Sequence, residues 1–370
     1  MLTSSCSTAD SGEIPHSRLL RMIGTLEAIR AELPAMRPIA EQAASRLVDG
    51  GRLWVCGLRP LVGEFLGRAG GFMMMRTMKR AEDHTPDPVD VIMGFPEDGQ
   101  PLQIPSIPHG ALTITFADKP CPEADPCLRT HASESGVSPT LAMAACGWVF
   151  TGEFIAALTS LGKMPVIYET IGAYLGHRRI ERYKHGETAF HENHQVPRIT
   201  PGVLGGRYID TVSAMLKRIE KEQRKNVDRA RAWVRAARAA DKRLIMYSMG
   251  HMFPDEISDT AIGKLFESAA WDAGFRHPTP EDDYSAGDFI AHVGYQHPPC
   301  DLLRKARAAG ARVVYVCLRP DRDFARDRNV VWIDPMWDWA DACVPLEGYD
   351  IPLLAASGVI NGSVAWEISR

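Results

Sequence analysis

The chain of 370 residues lacks several features that would place it at once. It has no surplus of positive charge: 42 lysines and arginines stand against 46 aspartates and glutamates, a formal net charge of -4. A protein that grips nucleic acid through its phosphates carries a basic footprint instead, so no nucleic-acid partner is expected. No uninterrupted apolar run approaches the roughly 18 residues of a membrane helix, so no membrane partner is expected either. Residues 1–16 lack the apolar centre of a secretion signal and read as a loose polar tail. Cysteine is sparse: eight residues are scattered through the chain, and Cys121 and Cys127 have no second pair at zinc-finger spacing. The expectation is a set of reduced thiols in a cytoplasmic protein. No P-loop is present and no G-x-G-x-x-G follows a strand, so nucleotide binding has no support.

What is present is an ordinary globular composition, 45% hydrophobic and 24% charged. Leu19, Leu20, Ile23, Leu26, Ile29 and Leu33 recur at helical spacing, followed by Ile39, Ala43 and Leu47. They predict a helix over 17–47, kinked or split by Pro34 and Pro38 and ended by Gly50-Gly51. Arg52–Cys56 is a short apolar run without alternation, as in a parallel strand covered on both faces. Gly57 then marks a turn, and 61–71 reads as a helix. Trp148–Phe150 reads as the next strand, Gly152 as a turn, 153–161 as a helix, and Pro165–Tyr168 as a further strand. Short helices between apolar strands imply βαβ units and a parallel sheet.

The second half repeats this order. A long helix over 207–240 precedes Arg243–Tyr247, as the first helix precedes Arg52–Cys56. Phe289–Val293, Gly294, a helix over 301–309 and Arg312–Val316 then match Trp148–Phe150, Gly152, the following helix and Pro165–Tyr168. The reading is a tandem duplication with a boundary near 205: a first α/β domain over 17–205 and a second over 206–370. The first carries two insertions, about 73–145 and 172–205, which read as functional loops or extra cover.

The segments Gly51–Gly57, Gly67-Arg-Ala-Gly-Gly71, Tyr247–His251, Gly287-Asp288-Phe-Ile290 and Ala306–Ala311 resemble the SIS (sugar isomerase) domain, as do Asp341–Leu346 and Ser357–Asn361 at the end. The resemblance implies two doubly wound, flavodoxin-like parallel-sheet domains in tandem. It also implies a phosphosugar bound at the carboxyl ends of the strands and, in many members, isomerisation. The serine/threonine-rich phosphate loops of the family are absent from both halves, where the loops read Gly57-Leu-Arg-Pro60 and Ser248-Met-Gly-His251.

Ligands in open α/β sheets bind outside the carboxyl ends of the strands. That rule selects His251 and His297 as proton carriers near neutral pH, with Glu153 as a third catalytic candidate. Arg59 would hold an anion bidentately, with a surface ion pair as its plain alternative. Thr151, Ser248 and the backbone of Gly57, Gly152, Gly250 and Gly294 would line the substrate. For Glu153 the plain alternative is a carboxylate complementing a helix dipole. The basic stretch through His177, Arg178 and His185 would close over an anionic sugar. No metal is expected, although His185, His191 and His194 form a weak alternative set for a divalent cation. The expected activity is binding, and isomerisation, of a sugar phosphate or related sugar derivative at a site between the two SIS-like domains. The alternatives are a non-catalytic sugar-phosphate sensor and a metal-dependent enzyme built on the histidines. The oligomeric state stays open, a homodimer included.

Overall fold

The computed structural model describes residues 16–77, 86–97, 100–102, 109–119, 126–170, 176–183, 188–248, 266–267, 282–294 and 298–370. Two helices open it, α1 (Arg18–Ala31) and α2 (Leu33–Val48). The break between them falls at Glu32, and Pro34 takes a first-turn position of α2, where its missing N–H costs nothing. The first sheet has the order β2-β1-β3-β4-β5 and is parallel throughout: β1 is Leu53–Gly57, β2 Arg76–Thr77, β3 Val91–Phe95, β4 Leu112–Ala117 and β5 Cys127–Arg129. The second, also parallel, runs β6 (Leu244–Ser248), β7 (Phe289–Val293), β8 (Arg312–Val316) and β9 (Val330–Ile333). The expected class, α/β with two parallel sheets, is the class observed; the first sheet has flavodoxin-like order, and the described strands of the second follow one another in sequence order.

Both sheets begin on the same device. Asp90, one residue before β3, accepts the backbone N–H of Arg52 at 2.7 Å and of Asp87 at 2.8 Å. Asp288, one residue before β7, accepts Arg243 at 3.2 Å and Ser285 at 2.8 Å. Each carboxylate satisfies N–H groups at the amino edge of its sheet, where no ladder partner is available. In the first sheet the indole of Trp54 adds a third hydrogen bond to Asp90, at 2.7 Å.

This correspondence corrects the internal alignment. Phe289–Val293 matches Val91–Phe95, and Arg312–Val316 matches Leu112–Ala117; four strands of the first sheet, β2 to β5, lie inside the expected insertion 73–145. Trp148–Phe150 is not a strand. It lies within α5 (Pro139–Ser160), which follows the single-turn α4 (Ala132–Ser135) and is a helix of 22 residues whose positions 141–159 are all buried. A helix covered on every side has no polar stripe, so its short apolar runs look like covered strands. By length and composition this helix could cross a membrane, which corrects the expectation that no segment would; its apolar window is fully buried inside the protein. The long helix expected over 207–240 is two helices, α7 (Val203–Glu222) and α8 (Arg224–Ala239), and that expected over 61–71 is the short α3 (Arg59–Phe65).

One core joins the two sheets. It includes Leu53, Val91 and Ile114 from the first sheet, Leu244, Phe289 and Val314 from the second, and the buried faces of α1, α2, α5, α7 and α8. Aromatic rings link α3 and strands β3 and β4 to α5: Phe65 stacks on Phe95 at 5.0 Å, Phe95 on Phe116 at 4.8 Å, and Phe116 meets Phe150 edge-on at 5.7 Å. On its outer face the second sheet packs against α9 (Cys300–Ala308) through Leu303 and Ala306. After the antiparallel hairpin of β10 (Ala342–Val344) and β11 (Leu353–Ala355), the wholly buried α10 (Ser357–Ile368) packs on α1, α5 and α8. Its Glu367 is held by Arg224 at 3.1 Å and Arg231 at 3.3 Å, and accepts the Arg18 N–H at 2.6 Å, so a buried charge at the chain's end is fully engaged.

Candidate functional site

At the carboxyl edge of the first sheet the chain reverses its order between β1 and β3, the crevice where doubly wound sheets take ligands. Gly57 sits there, exposed, at φ +102°. A Cβ on it would lie 2.0 Å from the Phe95 carbonyl oxygen, so only glycine lets the two strand ends meet. The turn is latched by the Leu58 N–H donating to that same oxygen at 2.8 Å. Arg59 follows at the first position of α3 and is exposed.

Further along this edge, β4 and β5 end on Asp118, Thr130 and His131, all buried. His131 adopts a left-handed backbone, φ 57° and ψ 24°, unusual outside glycine and a mark of sites held under constraint. Its ring lies between two carboxylates: Nε2 is 2.8 Å from Glu32 Oε1, and Nδ1 is 2.9 Å from Glu134 Oε2. That bond to His131 is the largest influence holding the Glu134 carboxyl below its ordinary value. Glu134 is half exposed, with 54% of its side chain accessible, whereas His131 is buried behind it. Asp118 receives the Ser133 N–H at 3.2 Å and the Ser133 hydroxyl, while its Oδ1 is buried without a hydrogen-bond partner. Sequence reasoning did not select His131 or Glu134. The signal was the polar run Thr130-His-Ala-Ser-Glu-Ser-Gly136 just ahead of an apolar stretch, hidden because that stretch was read as strand, turn and helix.

Thr151, Gly152 and Glu153 do not occupy a strand end. All three lie in the interior of α5 and are buried. The Thr151 hydroxyl donates to the Gly147 carbonyl at 2.8 Å. A Cβ on Gly152 would stand 3.0 Å from the Gly205 nitrogen, so that glycine lets α5 and α7 cross closely. Glu153 Oε2 accepts the Gly202 N–H at 2.7 Å, and burial pushes its carboxyl above the ordinary range. The carboxylate therefore serves the amino end of α7, not the start of its own helix. Ser248 closes β6, and Gly294 follows β7 with its carbonyl 3.5 Å from Asn361 Nδ2. Gly250, His251, His297 and His185 lie outside the described residues.

The basic stretch forms α6 (Gly176–Tyr183), which includes His177. It lines an open cleft of about 330 Å³ together with His191, His194, Tyr349 and Asp350. Arg179 is held by Asp350, one contact being 3.0 Å, and by Glu169 at 3.4 Å. Four rings meet edge-on or tilted: Tyr183 on His191 at 5.5 Å, His191 on His194 at 5.6 Å, and Tyr349 on His194 at 4.9 Å and on His191 at 5.8 Å. His191 Nε2 and the Tyr349 hydroxyl share a hydrogen bond of 3.1 Å. Burial, then His194, Arg179 and Arg182, hold His191 below the ordinary histidine value, and burial pushes the Tyr349 phenol up to about 12. Three guanidiniums around His191 and His194 favour an anion over a cation here. Among the described residues, no group of three or more histidine, cysteine, aspartate or glutamate side chains could hold a metal.

No family model matches the chain, and no curated protein matches it. Among solved structures it is similar to the C-terminal domain of glucosamine-fructose-6-phosphate aminotransferase from Francisella tularensis, at 9% identity and a TM-score of 0.45, over 98% of this chain and 97% of that one. It is similar to a candidate sugar-binding protein from Salmonella typhimurium LT2 at 11% identity and a TM-score of 0.44, over 94% and 98%. A candidate phosphosugar isomerase from Clostridium difficile 630 follows at 8% identity and a TM-score of 0.41, over 96% and 93%.

Proposed function

We propose that the protein binds a sugar phosphate or related sugar derivative at the carboxyl edge of its first sheet and interconverts aldose and ketose forms there. The observation that carries this reading is His131, fixed in a left-handed backbone between Glu32 and Glu134 at the end of β5. Aldose–ketose isomerisation moves one proton between adjacent carbons. It needs a carboxylate or imidazole that reaches the substrate and a partner that stabilises it as it changes charge. Glu134 is the accessible member and His131 the buried partner that orients it. The exposed Arg59 beside Gly57 supplies a cation for the anionic end of the substrate. His251 and His297, at the ends of the second sheet's strands in the sequence, extend the proposal to that sheet.

Calorimetric titration with glucose 6-phosphate, fructose 6-phosphate and glucosamine 6-phosphate, followed by a turnover assay on each ligand that binds, tests the reading. Glu134→Gln is expected to keep binding within a few-fold and to lower turnover by about 100-fold or more, the usual contribution of a positioned acid–base group. Absence of binding by every sugar phosphate would remove the proposal. Binding without turnover in the unmodified protein favours the sensor reading, which the missing serine-rich loops also support.

A further inference from the structure

We infer that the α6 cleft is a second binding site, built for a small dianion such as a phosphate or sulfate ester, gripped by Arg178 and Arg182 above the rings of His191, His194 and Tyr349. Among the described residues, none of the strand-end groups lines this cleft, so the inference stands apart from the isomerase reading.

Charge count comes first. Three guanidiniums line the cleft against one carboxylate, Asp350, and that carboxylate is engaged by Arg179, which Glu169 also holds. Arg179 is therefore neutralised and serves to position α6 against the 349–350 turn. Arg178 and Arg182 have no carboxylate partner among the described residues; Arg182 rests its guanidinium 5.2 Å from the Tyr183 ring. Both arginines are exposed. The three guanidiniums exceed the two carboxylates that hold Arg179 by one charge, and the planar forks of Arg178 and Arg182 suit phosphate and sulfate oxygens.

The floor supplies the second argument. His194 Nε2 is inaccessible to solvent and has no hydrogen-bond partner, an arrangement folded proteins rarely leave without a reason. The four clustered rings exclude water from one wall, which strengthens charge-assisted hydrogen bonds in the cleft. At about 330 Å³ the cleft lies at the small end of ligand sites, room for a phosphate with one ring or short chain attached.

Calorimetric titration of the full chain with sodium sulfate, at ionic strength matched with sodium chloride, tests the inference. Sulfate keeps its charge across neutral pH, so the ligand's own protonation does not enter. The unmodified protein is expected to bind sulfate at one site. Arg178→Ala and Arg182→Ala are each expected to weaken it by about tenfold or more, the size of a lost charge-assisted hydrogen bond. Arg178→Lys should fall between, because it keeps the charge and loses the fork. Arg326→Ala, at an exposed arginine outside both sites, should bind sulfate as the unmodified protein does, and a sugar-phosphate turnover assay on Arg178→Ala separates failure here from failure at the strand ends. Inorganic phosphate against glucose 6-phosphate, each counted as the binding lost in the Arg178→Ala/Arg182→Ala double variant, identifies the source: tighter binding of the ester assigns the cleft to a phosphorylated metabolite, and equal binding assigns it to free phosphate. No sulfate binding by the unmodified protein, or binding unchanged in the Arg178→Ala/Arg182→Ala double variant, would overturn the inference.

Discussion

Two arginines in this protein do formally the same job under opposite conditions. Arg68, in the loop after α3, lies 3.6 Å from Glu64 and 3.3 Å from Asp341, and its guanidinium also reaches the Ser357 hydroxyl. Arg179, on α6, lies 3.4 Å from Glu169 and pairs with Asp350. Each thus ties the segment 341–357 to an earlier part of the chain through two carboxylates. The Arg68 cluster is sealed, with side-chain exposures of 1%, 0% and 3%, whereas Asp350 is 65% exposed. Burial converts the same pairing from a surface contact into an element of the core, because a partner left alone in the interior keeps its desolvation cost. The open cluster can lend its electrostatics to a ligand; the sealed one cannot.

The largest break in this comparison comes from Arg68→Ala, which strands two carboxylates in the core. A loss of about 3–5 kcal/mol is expected, read as a drop in the denaturation midpoint. A smaller effect sits on Glu64. Burial, only partly offset by Arg68 and by the Trp148 indole that donates to it at 2.8 Å, raises its carboxyl to about 7. The folded state therefore holds a proton that the unfolded chain releases near pH 4.5. Stability is expected to fall as pH rises from about 4.5 through about 7, and to level off above that. Glu64→Gln should abolish that part of the slope; a variant that kept it would refute the assignment. The smallest change in stability is expected from Asp350→Asn, within about 1 kcal/mol for an exposed pair. That variant leaves Arg179 with Glu169 alone and removes a negative charge from the α6 cleft, so sulfate affinity there should rise several-fold by calorimetry. A large loss of stability from Asp350→Asn would show that the two clusters are alike after all.

Much of the architecture was legible before any coordinates. The opening helices, Arg52–Cys56, Phe289–Val293 and Arg312–Val316 are where their patterns put them, because each contrasts with polar turns on both sides. Val91–Phe95 and Leu112–Ala117 were overlooked inside proline-rich sequence, and α5 was cut in three, because a helix buried on all faces has no period to read. The candidate sites divide in the same way. The cations of α6 are adjacent in sequence, so their density announces an anion. His131 and Glu32 are 99 positions apart, and no local pattern joins them.

The amino-acid sequence by itself therefore determined the class of fold, two sets of parallel strands wound with helices, and the presence of a concentrated positive segment. Those are local properties: apolar runs, glycine stops and charge density act within a few residues. Only the tertiary structure decided that both sheets share one core and that Glu153 serves the neighbouring helix. It also decided that His131 stands between two carboxylates and that Arg179 is neutralised while Arg178 and Arg182 are not. Those outcomes depend on which distant groups desolvate each other. Burial and long-range hydrogen bonding set the energy of each charge, and neither exists until the chain has closed on itself.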